Sequence, residues 1–228
     1  MEFEGTEQLR RAGVVLSADL DTSPKDELET REALVVFFDI CSSSNILEGL
    51  HSRDNLKAYR DFLITIKRFL RHKQNVRVCE IYKFIGDGWI LLFPPTTTGS
   101  QLLKFLAELT ELFCEELKKS IIPALESTPQ VMGLTFGADA GLLIETIMND
   151  QKEYIGRPLN IASRLQGAVK ESDGEVAYNP AYKILISKPT FHGLRVSTSY
   201  PSEPLRRKLR NILGGQHYEC VRLTIPQG

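Results

Sequence analysis

The sequence is poor in the residues that would assign it to several large protein classes. It contains four cysteines, one tryptophan and three methionines in 228 residues. The cysteines are widely spaced, with no CxxC pair and no clustered histidines, so neither a zinc site nor a disulfide framework is indicated. This cysteine usage fits a reducing compartment, and we expect a cytoplasmic protein.

A charge excess and a long apolar run are also missing. The formal net charge is -1 and the pI about 6.5, so no basic field is present to hold a nucleic acid or an anionic membrane. No stretch approaches the roughly 18 apolar residues of a membrane span, and the polar start lacks an export signal. We therefore expect a small-molecule or protein partner, without nucleic acid or membrane.

What the sequence does contain is the composition of one globular domain. Hydrophobic residues make up 42% and charged residues 25% of the chain, which is enough for a sizeable core. The segment Ala18–Glu32 is acidic and carries Pro24. We expect a polar lead-in over residues 1–32 and a single domain over residues 33–228.

Apolar patterning predicts the elements of this domain. Ala33–Ile40 is a continuous apolar run typical of a central buried strand, with Asp39 near its carboxyl end. After a Ser-rich turn, apolar residues recur at helical spacing between Leu56 and Leu70. Val76–Phe84 and Trp89–Phe93 read as two strands of a hairpin, whose intervening glycines suit a tight turn and place Asp87 at its tip.

The remaining elements complete an α+β plan. Leu102–Ile122 predicts a second amphipathic helix, Met132–Ile147 a strand, and Pro158 the first turn of a helix reaching about Val169. The order is βαββαβ, a ferredoxin-like core. We expect helices on one face of a mostly antiparallel sheet.

Two carboxylates stand where such a core could bring them together. If the strands are neighbours, Asp39 and Asp87 form a hard-oxygen site suited to magnesium or manganese. Each aspartate alone is better explained as a turn or cap residue.

Three sequence blocks resolve this ambiguity. FFDICSSS, KFIGDG and EYIGRPLNIASRLQ follow one another between Ala33 and Gln166. They resemble the FxDI, KxxGD and GxxxNxAxR signatures of the class III nucleotidyl cyclases, which convert a nucleoside triphosphate to a 3′,5′-cyclic monophosphate and pyrophosphate. The resemblance implies the class III cyclase fold and a head-to-tail homodimer with composite active sites.

The resemblance also implies residue roles. Asp39, Asp87 and the carbonyl of Ile40 would bind two divalent cations, Mn²⁺ or Mg²⁺. Asn160 and Arg164, four residues apart on one helix face, would orient the ribose and meet charge on the α-phosphate. Without the resemblance, Arg164 could instead form a surface ion pair with a glutamate, Glu153 or Glu171.

A late basic run offers further phosphate ligands. It comprises Arg206, Arg207, Lys208 and Arg210. A solvated basic turn explains the run equally well, and the sequence does not choose among its members.

Base selection is implied to rest on Lys83 and Glu153. Guanylyl cyclases carry Glu at the first of these positions, so GTP is disfavoured. A lysine donor with a carboxylate acceptor suits adenine, uracil or cytosine. Trp89 either shortens the base pocket or belongs to the core.

The chain as a whole looks like the pyrimidine cyclases of bacterial Pycsar antiphage systems. That resemblance implies conversion of UTP to cyclic UMP, sensed by a separate effector. Adenylate and cytidylate cyclases remain alternatives, as does a non-catalytic module that binds nucleotide or dimerises. A diguanylate cyclase would carry GGDEF or GGEEF at the hairpin, where this chain has Ile85-Gly86-Asp87-Gly88.

Overall fold

The computed structural model describes residues 28–172, 178–197, 200–212, 214 and 216–225. Most of the predicted lead-in, residues 1–27, lies outside them. The described residues form one eight-stranded sheet. Its strands are β1 (Thr30–Cys41), β2 (Glu80–Phe84), β3 (Gly88–Phe93), β4 (Gly133–Met148), β5 (Gln151–Ile155), β6 (Lys183–Ser187), β7 (Ser202–Lys208) and β8 (His217–Thr224).

Five α-helices accompany the sheet in the same residues. They are α1 (Ser43–His51), α2 (Leu56–Asn75), α3 (Gly99–Glu116), α4 (Arg157–Ala168) and α5 (Lys188–Leu194). Across the part of the chain just defined, no helix is both long enough and apolar enough to cross a membrane.

The sheet has the order β2-β3-β1-β4-β6-β8-β7, and β5 pairs with β4. β1 is antiparallel to both β3 and β4, whereas β4 and β6 run parallel. The predicted βαββαβ order and the mostly antiparallel sheet are confirmed, with α1 as an additional helix. β1 lies at the centre because its apolar run can be buried on both sides.

Several elements differ from the prediction. The Ser-rich segment turns at Ser42, whose φ is 58°, and its next serines then open helix α1, which was not predicted. α2 extends to Asn75, so β2 begins only at Glu80 and the residues from Val76 onward connect the two. α3 starts at Gly99, where Thr98 and Gln101 form a reciprocal capping box. It ends at Glu116, followed by a π-helical turn and a short 3₁₀ helix.

Helices cover both faces of the sheet, so the one-face prediction is wrong. Alternate residues of β1 point to opposite faces. Leu34, Val36 and Phe38 join the core formed with α2 and α3, whereas Val35 and Phe37 pack in the cluster that contains Ala162 of α4. A strand that is apolar on both sides must be buried on both faces of the sheet. α2 and α3 bury one face of β1, and α4 packs on the other.

Close contact between α4 and β4 depends on Gly137. A Cβ atom at this position would lie 2.2 Å from the carbonyl oxygen of Ala162 and 2.3 Å from the amide nitrogen of Gln166. Such distances are far below any normal contact, so only glycine allows this approach. The helix backbone therefore lies directly on β4, next to β1.

Candidate active site

The two predicted metal ligands lie together at one end of the sheet. Asp39 of β1 pairs with Gly88 of β3, and Asp87 immediately precedes that glycine in the hairpin. A Cβ atom at Gly88 would lie 2.1 Å from the carbonyl oxygen of Phe38. The glycine thus permits the close strand approach that brings the two carboxylates side by side.

Each aspartate is held by neighbours that the sequence prediction did not include. The hydroxyl of Ser43, buried at the start of α1, donates a hydrogen bond to Oδ2 of Asp87. Nζ of Lys170 lies 2.8 Å from Oδ2 of Asp39. Nε2 of Gln166 lies 3.4 Å from the same oxygen and donates to Oγ1 of Thr135 at 2.9 Å.

Burial and neighbouring charge shape the ionisation of Asp39. Burial raises the pKa of Asp39 above its ordinary value, the Lys170 ammonium lowers it, and the charge of Asp87 raises it again. Burial lowers the pKa of Lys170, but its hydrogen bond to Asp39 and the nearby acidic charges outweigh this and raise it overall. The pKa of Asp39 stays above its ordinary value overall, because the Lys170 ammonium offsets only part of the effect of burial.

The oxygen donors at this position fit a divalent cation. Among the described residues, no group of three or more His, Cys, Asp or Glu side chains could hold a metal by itself. Magnesium commonly uses one or two carboxylates together with substrate phosphates, and does not need an all-protein cage. The carboxylates of Asp39 and Asp87 suit that type of site, and the ammonium of Lys170 already pairs with one of them.

The predicted base-reading pair also comes together. Nζ of Lys83 in β2 lies 2.7 Å from Oε1 and 3.0 Å from Oε2 of Glu153 in β5. The Tyr82 hydroxyl donates to Oε2 of Glu153 and accepts from the backbone N–H of Tyr154 at 3.0 Å.

Ionisation of this pair follows from its contacts. Hydrogen bonds from Lys83 and Tyr82 lower the pKa of Glu153, and the bond to Glu153 raises the pKa of Lys83. The charged forms of both side chains are therefore favoured. Sequence reasoning missed Tyr82, because neighbouring residues of a strand normally point to opposite faces. A register shift between Ile81 and Lys83 interrupts the strand pairing here.

Asn160 and Arg164 lie on α4, as predicted. Arg164 does not form the surface ion pair with Glu153 or Glu171 that was the alternative. The Arg164 guanidinium donates from Nε to the carbonyl of Arg210 and from Nη1 to the carbonyl of Asn160 at 3.2 Å. Glu153 pairs with Lys83 instead, and Glu171 lies 3.9 Å from Arg207. The Asn160 side chain is exposed.

The late basic run divides according to its surroundings. Arg207 is buried beside Glu171, and Arg206 lies 3.5 Å from Glu219. Lys208 and Arg210 are exposed, and the carbonyl of Arg210 meets Arg164. Among the four basic residues of this run, Arg210 is therefore the one that lies against Arg164 of α4.

Trp89 belongs to the hydrophobic core. Its side chain is 3% exposed and stacks on Phe38 with ring centroids 5.2 Å apart. The core alternative is therefore correct.

Sequence comparisons give no relative for this chain, whereas structural comparisons do. No protein-family model matches it, and no curated protein matches it either. Its structure is similar to that of the guanylyl cyclase Cya2, with a TM-score of 0.59, 17% identity, and coverage of 88% of this chain and 94% of that one.

Two further solved structures show the same likeness. The adenylyl cyclase CyaB from P. aeruginosa gives a TM-score of 0.58 at 19% identity, covering 88% of this chain and 98% of that chain. The catalytic core of a rhodopsin-guanylyl cyclase with converted specificity, in complex with ATPalphaS, gives 0.54 at 17% identity, covering 88% and 100%. The described residues therefore have the fold of adenylyl and guanylyl cyclase catalytic domains, as predicted.

Proposed function

We propose that this protein is a class III nucleotidyl cyclase. The observation that supports this most directly is the juxtaposition of Asp39 and Asp87 at the β1–β3 end of a cyclase fold. In the reaction the 3′ oxygen of the substrate attacks its own α-phosphorus, the bond to the bridging α–β oxygen breaks, pyrophosphate leaves, and the 3′ proton passes to solvent. No covalent enzyme intermediate is required.

The chain supplies distinct groups for this reaction. Asp39, Asp87 and the Ile40 carbonyl would hold two divalent cations, Mn²⁺ or Mg²⁺. When bound, such ions lower the pKa of the attacking hydroxyl and neutralise the leaving group. Arg164 would stabilise negative charge on the α-phosphate, where a fixed guanidinium acts most strongly. Asn160 would orient the ribose.

The complete site is proposed to form between two copies of the chain. Within one chain, the contacts of Arg164 lead to Asn160 and Arg210 rather than to the aspartates. The β4–β5 hairpin exposes apolar side chains, including Leu142 at 55% and Ile147 at 66%, as expected of an interface. We infer a head-to-tail homodimer in which each site takes its metal ligands from one chain and Asn160, Arg164, Lys83 and Glu153 from the other.

The proposed substrate is UTP. Lys83 would donate to a uracil carbonyl, and Glu153 would accept from N3–H. Tyr82 supports this assignment because its hydroxyl donates to the Glu153 carboxylate, which Lys83 also contacts. A glutamate is one methylene longer than an aspartate and would leave less depth for a purine.

The proposed biological role follows the Pycsar resemblance of the sequence. Cyclic UMP would be made in the cytoplasm on phage infection and sensed by a separate effector. Neither nucleic acid nor a membrane is part of this proposal.

A competition assay tests the proposed function. Purified protein is incubated with equimolar ATP, GTP, CTP and UTP plus Mn²⁺, and cyclic products are separated by chromatography and mass spectrometry. We expect cyclic UMP to dominate, since a site built on hydrogen bonds discriminates by orders of magnitude. Dominant cyclic AMP or cyclic CMP would overturn the base assignment and keep the enzyme class. No cyclic product from a verified dimer would favour the binding-module alternative.

A further inference from the structure

We propose that Lys170 competes with the divalent cation for Asp39, so that its ammonium opposes metal binding. This inference rests on the proposed metal site. It assigns to Lys170 a role in setting how much metal the protein needs. The side chain belongs to the same chain as Asp39 and Asp87.

The position of Lys170 is fixed by the fold. Its backbone N–H donates to the carbonyl of Gly167 at 3.2 Å, which continues the turn beyond the end of α4. The Tyr178 hydroxyl donates to the carbonyl of Val169 at 2.6 Å and anchors the same segment. Because Gly137 seats α4 directly on β4, the end of the helix lies beside Asp39.

Lys170 contacts one of the two oxygens with which Asp39 could bind an ion. Its Nζ lies 2.8 Å from Oδ2 of Asp39, the oxygen that the Gln166 amide also approaches. A divalent ion would need that carboxylate at about 2.0–2.1 Å, as magnesium does. A carboxylate has two oxygens, so an ammonium and a metal ion can both contact it, but their charges then repel each other and each weakens the binding of the other.

The surroundings allow Lys170 to leave without unfolding. Its side chain is 47% exposed, compared with 19% for Asp39. A long flexible stem can therefore swing its charged end into water. In the absence of metal, the same ammonium offsets the repulsion between Asp39 and Asp87.

Titration of the nucleotide-free protein with Mn²⁺, followed by electron paramagnetic resonance of the free ion, tests the proposal. Lys170→Met should bind Mn²⁺ about threefold to tenfold more tightly than wild type, as expected for loss of a half-exposed opposing charge. Lys170→Arg should remain close to wild type. Lys188→Met is the matched control, because Lys188 is as exposed as Lys170 and also lies 2.8 Å from a carboxylate, that of Glu219. It should leave Mn²⁺ binding unchanged.

Unchanged or weaker Mn²⁺ binding by Lys170→Met would overturn the proposal, since a supporting ligand or a bystander gives that result. Lys170→Gln serves as a second variant if the methionine variant does not fold. Asp39→Asn distinguishes an error in the role of Lys170 from an error in the metal site itself. If it abolishes Mn²⁺ binding while Lys170→Met has no effect, Lys170 alone is misassigned. If it leaves binding intact, the metal site itself is wrong and the competition proposal fails with it.

Discussion

The residues at the two ends of α4 make different kinds of contact. Toward its start, Asn160 is exposed and Arg164 contacts backbone carbonyls. At and beyond its end, Gln166 and Lys170 reach Asp39 of the same chain. Six residues of helix, about 9 Å, separate Asn160 from Gln166. In a head-to-tail dimer one helix would therefore serve two sites, its own chain's metal ligands and its partner's substrate.

The largest effect is expected from removing either of the two aspartates that are proposed to bind metal. Asp39→Ala or Asp87→Ala should lower cyclic nucleotide formation by about a thousandfold or more, because charge stabilisation in the transition state is lost. Turnover is measured with saturating Mn²⁺ and the preferred triphosphate. Circular dichroism and size-exclusion chromatography should show an intact fold and dimer. Near wild-type turnover by either variant would remove the metal assignment.

A smaller effect is expected from a substitution that pushes α4 away from β4, because this would disturb the residues at both ends of the helix. Gly137→Ala places a methyl group against the backbone of α4 and should destabilise the protein by about 1–3 kcal/mol, as overpacking does. Thermal or urea unfolding measures this change. Gly167→Ala is the control on the same helix, because a Cβ there meets nothing within 4 Å. It should stabilise the protein by about 0.5–1 kcal/mol. Equal stability of the two variants would contradict the close seating of α4.

The elements that could be predicted are those whose local sequence pattern is typical of a single type of secondary structure. The apolar run of β1, the Gly-flanked hairpin at Asp87 and the proline-initiated α4 were all recognisable locally. Contacts between distant segments were not, because Lys170 lies 131 residues from Asp39 and Ser43 lies 44 residues from Asp87. Their meeting depends on strand order and on how α4 packs.

Helix α1 was missed for a different reason. Its first residues are serines, which favour turns as readily as helix starts, and only nine residues carry the helix. The second covered face of the sheet was missed although its signal was present. The unbroken apolar run of β1 already required burial on both sides.

Subunit complementation tests the shared site most directly. Asp39→Ala and Arg164→Ala proteins, each inactive, are mixed in equal amounts under conditions where native mass spectrometry shows subunit exchange. Half of the dimers are then mixed and each holds one intact site, so about a quarter of wild-type activity should return. Asp39→Ala mixed with Asp87→Ala should stay inactive, because both changes fall on the same side of every site. No recovery in the first mixture, despite exchange, would contradict the account and place the whole site within one chain.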